Sequence, residues 1–260
     1  MTFHNTILTK FLEQLRILPS FSSIISVLLG GSYAIEKSDK LSDIDLLLIC
    51  NDMTSSILYK ELQSSTNSDD FRKILDVKII EKESIKFVNN SIQSLFFYHL
   101  VKNSKILYGE DLKSNFKLNP SLCYQAIQQK TDKLEKIKTL AFEYDQLEQA
   151  EILLFTIAKS FLIIHQLFSN EINSNQHSSD KFLINAFGNR MNQIRRAIKN
   201  QRKWISIFDK KGKEEELGFD LIKLKRRKSA QKDEQYQKLI LSSIQKITDF
   251  STKCLDLIYQ

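Results

Sequence analysis

The chain has 260 residues, of which 42% are hydrophobic and 27% charged, enough for one large or two ordinary globular domains. It has no apolar run near the roughly 18 residues of a membrane span and no signal-peptide pattern at Met1, so we expect a cytoplasmic protein without a membrane partner. Three widely spaced cysteines exclude a disulfide framework and a Cys-x-x-Cys metal site.

The first half of the chain alternates helical and strand patterns. Apolar residues at helical spacing predict a helix over Thr6–Ile17, and two buried strands follow in SIISVLLGG and DIDLLLIC, separated by the polar loop Glu36–Ser42. The later predicted elements are a helix over Thr54–Gln63, a strand over Lys73–Ile80, a helix over Ser84–Leu100 and a short strand in SKILYGEDL.

From Asn119 onward, long amphipathic stretches dominate. They predict helices over Ser121–Phe142, Gln146–Leu167, Phe182–Trp204 and Asp233–Tyr259, with a charged loop over Asp209–Leu217. The sequence therefore predicts a small α/β domain over residues 1–118 and an all-helical bundle over residues 119–260.

The formal charge is unevenly distributed. Residues 1–117 hold 14 Lys and Arg against 14 Asp and Glu, so the net charge of +7 comes from the second half. The segment from Arg190 to Lys228 has 14 basic and 5 acidic residues, a net charge of +9. Such an excess suggests a polyanionic partner such as nucleic acid, although a basic stretch is also commonly a solvated surface.

Three aspartates are candidate metal ligands. Asp43 and Asp45 alternate with Ile44 at a strand start and so share a face, where a cation between them would relieve their repulsion. Asp76 of the third predicted strand is the natural third carboxylate, and such oxygen ligands suit Mg²⁺ or Mn²⁺. The alternatives are solvated strand-end aspartates at Asp43 and Asp45 and an exposed strand aspartate at Asp76.

Two adjacent glycines end the preceding strand. Gly30 and Gly31 allow close approach of a phosphate, and turn amides together with the Ser32 hydroxyl can donate hydrogen bonds to its oxygens. Ser32 is also a possible helix N-cap. Together with the carboxylates, this arrangement is typical of phosphoryl or nucleotidyl transfer by two metal ions.

These residues resemble the motif of the polymerase-β-type nucleotidyltransferase superfamily. The sequence GSYA…SDIDLL is most similar to its minimal and antibiotic nucleotidyltransferases. The resemblance covers roughly Ser23–Asp111 and implies an α+β fold, in which a mixed-sheet catalytic domain precedes a helical acceptor-binding domain. It implies that Asp43, Asp45 and Asp76 are catalytic and hold Mg²⁺ or Mn²⁺. Many relatives carry Arg or a similar residue where this chain has Ile35, so a phosphate contact is either missing here or supplied by Lys37 or Lys40.

The resemblance implies an enzyme that moves a nucleoside monophosphate, AMP from ATP, to a hydroxyl acceptor. The acceptor stays open among an antibiotic-like small molecule, an RNA end and a protein hydroxyl. The alternative is a non-catalytic nucleotide- or RNA-binding module, against which the complete set of three carboxylates argues.

Overall fold

In the computed structural model, the described residues are 3–36, 38, 42–66, 69–126, 128–129, 132, 154–155, 157–159, 163, 188, 191–201, 204–215, 238, 241–242 and 245. By contacts the chain divides into two units, one of residues 1–119 with 199–222 and one of residues 120–198 with 223–260. In the described part of the chain, no helix has both the length and the apolar character to span a membrane.

The first unit is built on a six-stranded sheet with the strand order β4-β1-β2-β3-β5-β6. Strands β2, β3 and β5 are parallel to one another, whereas β1, β4 and β6 pair with their neighbours in antiparallel fashion. The mixed sheet is thereby confirmed. The strands are β1 (Ile24–Leu29), β2 (Ile44–Cys50), β3 (Leu75–Glu81), β4 (Lys105–Gly109), β5 (Ile205–Phe208) and β6 (Glu214–Glu215).

The helices with defined bounds are α1 (Phe3–Arg16), α2 (Gly31–Ala34), α3 (Ser55–Ser65), α4 (Asp69–Ile74), α5 (Ile85–Asn89), α6 (Ser94–Lys102) and α7 (Met191–Gln201). Short 3₁₀ turns cover Pro19–Ser23, Lys82–Ser84 and Lys113–Asn115. Residues 120–126 are also helical.

Apolar side chains cover both faces of the sheet. One face contacts α1 through Phe11 and Leu15, spaced one helical turn apart and fully buried, in a cluster that includes Ile44 and Val77. The opposite face carries a second cluster, whose buried members come from β1, β2, β3, β5, α5, α6 and the segment that follows β4: Leu28, Leu47, Ile49, Ile80, Ile85, Val88, Phe97, Leu100, Val101, Leu112, Phe116 and Phe208.

The helix predicted over Ser84–Leu100 is wrong in its continuity, because it is two helices, α5 and α6. Between them Ser91 Oγ donates to Val88 O at 2.9 Å and accepts from the Gln93 amide at 3.1 Å. A serine hydroxyl that bonds nearby backbone competes with the helical pattern. The polar run Asn89–Ser91 therefore supports a turn where apolar periodicity predicted a helix.

The prediction that residues 119–260 are entirely helical is also wrong. The helix predicted through Trp204 ends at Gln201, and Ile205–Phe208 forms β5, which pairs in parallel with β3. Part of the predicted charged loop forms β6. A four-residue apolar run has no distinctive period, and its conformation is decided here by a sheet edge formed from residues more than 120 positions earlier. The rest of the predicted helical bundle lies largely outside the described residues.

Candidate active site

The candidate site lies where β1 ends beside the start of β2. The chain leaves β1 at Leu29, and the Gly30 amide donates to the carbonyl oxygen of Asp45 at 2.9 Å. This bond continues the β1–β2 ladder by one residue beyond the Leu29–Leu46 pair. It brings the glycines next to the start of β2, as the sequence analysis predicted.

Gly30 is a packing residue. A Cβ at this position would lie 2.4 Å from Leu100 Cδ1 and 2.9 Å from the Leu100 carbonyl oxygen. A real Cβ does not approach backbone atoms so closely, so only glycine fits between β1 and α6 here. Its amide is already bonded to the Asp45 carbonyl oxygen and is therefore not available as a donor to a phosphate.

Gly31 opens α2 and lies directly against Asp45. Its φ is +62°, in the left-handed region, and a Cβ would stand 1.9 Å from Asp45 Oδ2. The missing side chain therefore makes room for the carboxylate. Ser32 is the second residue of α2 and Gly30 occupies the cap position, so the N-cap interpretation of Ser32 does not hold.

The three aspartates of the sequence analysis are placed at the start of two parallel strands. Asp43 immediately precedes β2 and is partly exposed, as is Asp45. Asp45 and Asp76 are paired in the β2–β3 register, and such pairs project to the same side of a sheet about 4.8 Å apart. Asp76 is buried, with 6% of its surface exposed, which excludes the interpretation of an exposed strand aspartate.

Lys78 is the residue of this region that the sequence analysis missed. Its Nζ donates to Asp76 Oδ1 at 2.5 Å, and the two side chains are only 12% and 9% exposed. The signal was present in the alternation DVK, which places Lys78 two residues beyond Asp76 on the same face of β3. The burial of Lys78 depends on the neighbouring strands β2 and β5, which the pattern of its own segment does not reveal.

The chemistry of the carboxylates fits a hard divalent cation, but their present arrangement is incomplete. Among the described residues, no group of three or more His, Cys, Asp or Glu side chains is gathered to hold a metal ion. Asp76, the proposed third ligand, is instead engaged by Lys78. The pair Asp43 and Asp45 provides oxygen ligands of the type that Mg²⁺ and Mn²⁺ prefer.

The remaining predicted contacts fall elsewhere. Lys37 and Lys40 lie outside the described residues, as do residues 190, 202–203 and 216–228 of the basic segment. Ile35 follows Ala34, the last residue of α2, and is 39% exposed.

Comparison with known proteins gives one family match. Residues 14–113, which include all three aspartates and both glycines, match the model of the family "Polymerase beta, Nucleotidyltransferase". No curated protein matches the chain. Among solved structures, the chain is similar to a spectinomycin adenyltransferase from Enterococcus faecialis, solved with ATP and spectinomycin, at 10% identity and a TM-score of 0.49, over 94% of this chain and 98% of that one. The family match over residues 14–113 supports the resemblance of this part of the chain to the polymerase-β-type nucleotidyltransferase superfamily.

Proposed function

We propose that this protein transfers a nucleoside monophosphate, AMP from ATP, to a hydroxyl group of an acceptor. The observation that carries the proposal is the position of Asp45. Its carboxylate lies against the backbone of Gly31 on one side and is in register with Asp76 on the other. A phosphate at the Gly31–Ser32 turn would therefore be adjacent to the carboxylates that bind its counter-cation.

The residues of the site take distinct roles in this proposal. Asp43 and Asp45 hold Mg²⁺ or Mn²⁺, and the amides of Gly31 and Ser32, with the Ser32 hydroxyl, bind triphosphate oxygens. First-turn amides suit this role because they have no intrahelical acceptor. When bound, the divalent cations supply charge neutralisation on the triphosphate and activation of the acceptor hydroxyl. Lys40 is proposed as a further phosphate contact.

Asp76 is proposed as the carboxylate on the acceptor side. Its register with Asp45 places it on the same face, one strand further from Gly31. There it would serve as the third metal ligand or would accept the proton of the acceptor hydroxyl. Either role requires an ionised carboxylate with an oxygen available to the site.

The acceptor is proposed as one of three classes: an antibiotic-like small molecule, an RNA end or a protein hydroxyl. The net charge of +9 between Arg190 and Lys228 favours the RNA end over a cationic antibiotic, because a cationic substrate requires an acidic cleft.

The test is incubation of the purified protein with each α-labelled nucleoside triphosphate, Mg²⁺ or Mn²⁺, and total tRNA, aminoglycosides or the protein alone. We expect label on one acceptor, with release of pyrophosphate. Asp45→Asn should lose the transfer. Asp52→Asn is the matched control, since Asp52 follows the other end of β2, where it accepts a hydrogen bond from the Glu83 amide. Nucleotide binding without transfer to any acceptor would favour the non-catalytic binding module instead.

A further inference from the structure

The ion pair between Lys78 and Asp76 is the feature of this site that nucleotidyl transfer does not require. The Nζ–Oδ1 distance is 2.5 Å, and both side chains are about nine-tenths buried. By contrast, the pair Lys82–Glu110, just beyond the end of β3, is 3.4 Å long with side chains 45% and 62% exposed. A buried pair is held far more strongly than an exposed one, because neither partner is hydrated when it is alone.

The neighbours of Lys78 explain why it pairs with Asp76. In the sheet register Lys78 lies between Leu47 of β2 and Ser206 of β5, neither of which carries a charge. Asp76 lies beside Asp45, which carries the same charge. Lys78 therefore places a positive charge where two carboxylates lie side by side and offsets part of their repulsion. The lysine therefore stabilises the metal-free protein.

The same geometry sets up a competition. A divalent cation that uses Asp76 as a ligand must bind a carboxylate whose Oδ1 now accepts from Lys78 Nζ, and two cations around one carboxylate repel each other. We propose that Lys78 is an internal counter-ion of the site, which holds Asp76 in the metal-free protein and must release it before a divalent cation binds there. This inference rests on the proposed function for the identity of the cation class.

Mn²⁺ binding to the whole protein, without nucleotide or acceptor, tests this directly. Free Mn²⁺ is measured by electron paramagnetic resonance during titration of the parent and of Lys78→Met. A charge within about 4–6 Å changes an ionic equilibrium by roughly 10- to 1,000-fold, so Lys78→Met should lower the Mn²⁺ dissociation constant at least about tenfold. Lys82→Met removes the lysine of the exposed Lys82–Glu110 pair and should leave the Mn²⁺ dissociation constant unchanged.

A double-mutant cycle separates competition from a general structural effect. In an Asp76→Asn background, the Lys78→Met change should no longer tighten Mn²⁺ binding, because the contested carboxylate is gone. Lys78→Gln is a second variant for the case that Lys78→Met does not fold, since its amide can still donate to Asp76. It should tighten Mn²⁺ binding in the same direction.

Unchanged or weaker Mn²⁺ binding by the folded Lys78 variants overturns the inference, as does a tightening that persists in the Asp76→Asn background. The result is independent of catalysis. Tighter Mn²⁺ binding in a protein that transfers no nucleotide would retain the counter-ion role and reject the proposed function. Transfer activity with unchanged Mn²⁺ binding in the Lys78 variants would retain the proposed function and reject the counter-ion role.

Discussion

The backbone of Gly31 lies so close to the carboxylate of Asp45 that a Cβ on residue 31 would stand 1.9 Å from Asp45 Oδ2. Because φ of Gly31 is +62°, a side chain would also be strained there by the backbone alone. The Asp45 carboxylate can therefore occupy its position only if residue 31 has no side chain. Any change at residue 31 is therefore a change to the candidate site.

Gly31→Ala should impair both stability and function. The left-handed backbone costs a non-glycine residue about 1–2 kcal/mol, and displacement of Asp45 adds to this. Urea unfolding measures the loss, and nucleotide transfer should be abolished. Gly188→Ala is the matched control, since Gly188 has φ of +55° and no atom of the described residues lies within 4 Å of a Cβ built there. Equal losses in the two variants would contradict a role for Gly31 in placing Asp45.

Asp45→Asn should abolish transfer and leave the metal-free fold intact. Removal of one charge from beside Asp76 and Asp43 relieves repulsion, so the variant should melt no lower than the parent without metal. Mg²⁺ with ATP should raise the melting temperature of the parent and no longer that of the variant. Differential scanning fluorimetry provides this comparison, with Asp52→Asn expected to behave as the parent does. Full activity in Asp45→Asn would reject the metal assignment.

Asp76→Ala should reduce turnover far more than nucleotide binding if Asp76 acts on the acceptor side. It also leaves Lys78 buried without its partner, so the free energy of unfolding should fall by about 3–5 kcal/mol. Glu110→Ala, which breaks the exposed pair with Lys82, should change the free energy of unfolding by less than about 1 kcal/mol. Equal losses in nucleotide affinity and turnover would restrict Asp76 to a structural or nucleotide-binding role.

Replacement of Arg226, Arg227 and Lys228 by Gln tests the basic segment. If it binds RNA, tRNA affinity should fall almost uniformly across sequences and its dependence on salt should flatten, because fewer counterions are released. Nucleotide affinity should stay nearly unchanged. Gln at Lys10, Lys60 and Lys86, three exposed lysines of the first unit, is the control for lost charge alone. If the triple variant binds tRNA as the parent does, the segment is a solvated surface.

The two described cysteines should be inert and should make stability sensitive to high pH. Burial raises the pKa of the Cys50 thiol, and likewise that of Cys123, to about 11. The unfolded chain releases these protons near pH 9 and the folded chain near pH 11, so the stabilisation is complete below about pH 9 and is lost between pH 9 and 11.

Urea unfolding of the parent and of a Cys50→Ala, Cys123→Ala variant, compared from pH 8 to 11, isolates this contribution from that of lysines and tyrosines. The parent should lose more stability than the variant over that range. Rapid alkylation of Cys50 or Cys123 in the native protein at pH 8 would contradict their burial.

The sequence by itself determined much of the first unit, because the features concerned are local. An apolar run that ends at glycines predicted β1, and a second apolar run that follows a polar loop predicted β2. The spacing in SDIDLL placed Asp43 and Asp45 at a strand start. The order of these motifs carried the resemblance to the superfamily that residues 14–113 match. Such patterns can be recognised without knowledge of the fold, since each depends on residues within a few positions of one another in the sequence.

Only the tertiary structure decided the relationships between distant segments. The assignment of Ile205–Phe208 to a strand depends on β3, and the burial of Lys78 depends on Leu47 and Ser206 beside it. Gly30 is required by Leu100, some 70 residues away. The pattern of a single segment contains no information on which segment will cover it. Lys78 is buried by its neighbouring strands and pairs with Asp76, because a charged side chain removed from water is stabilised by an opposite charge.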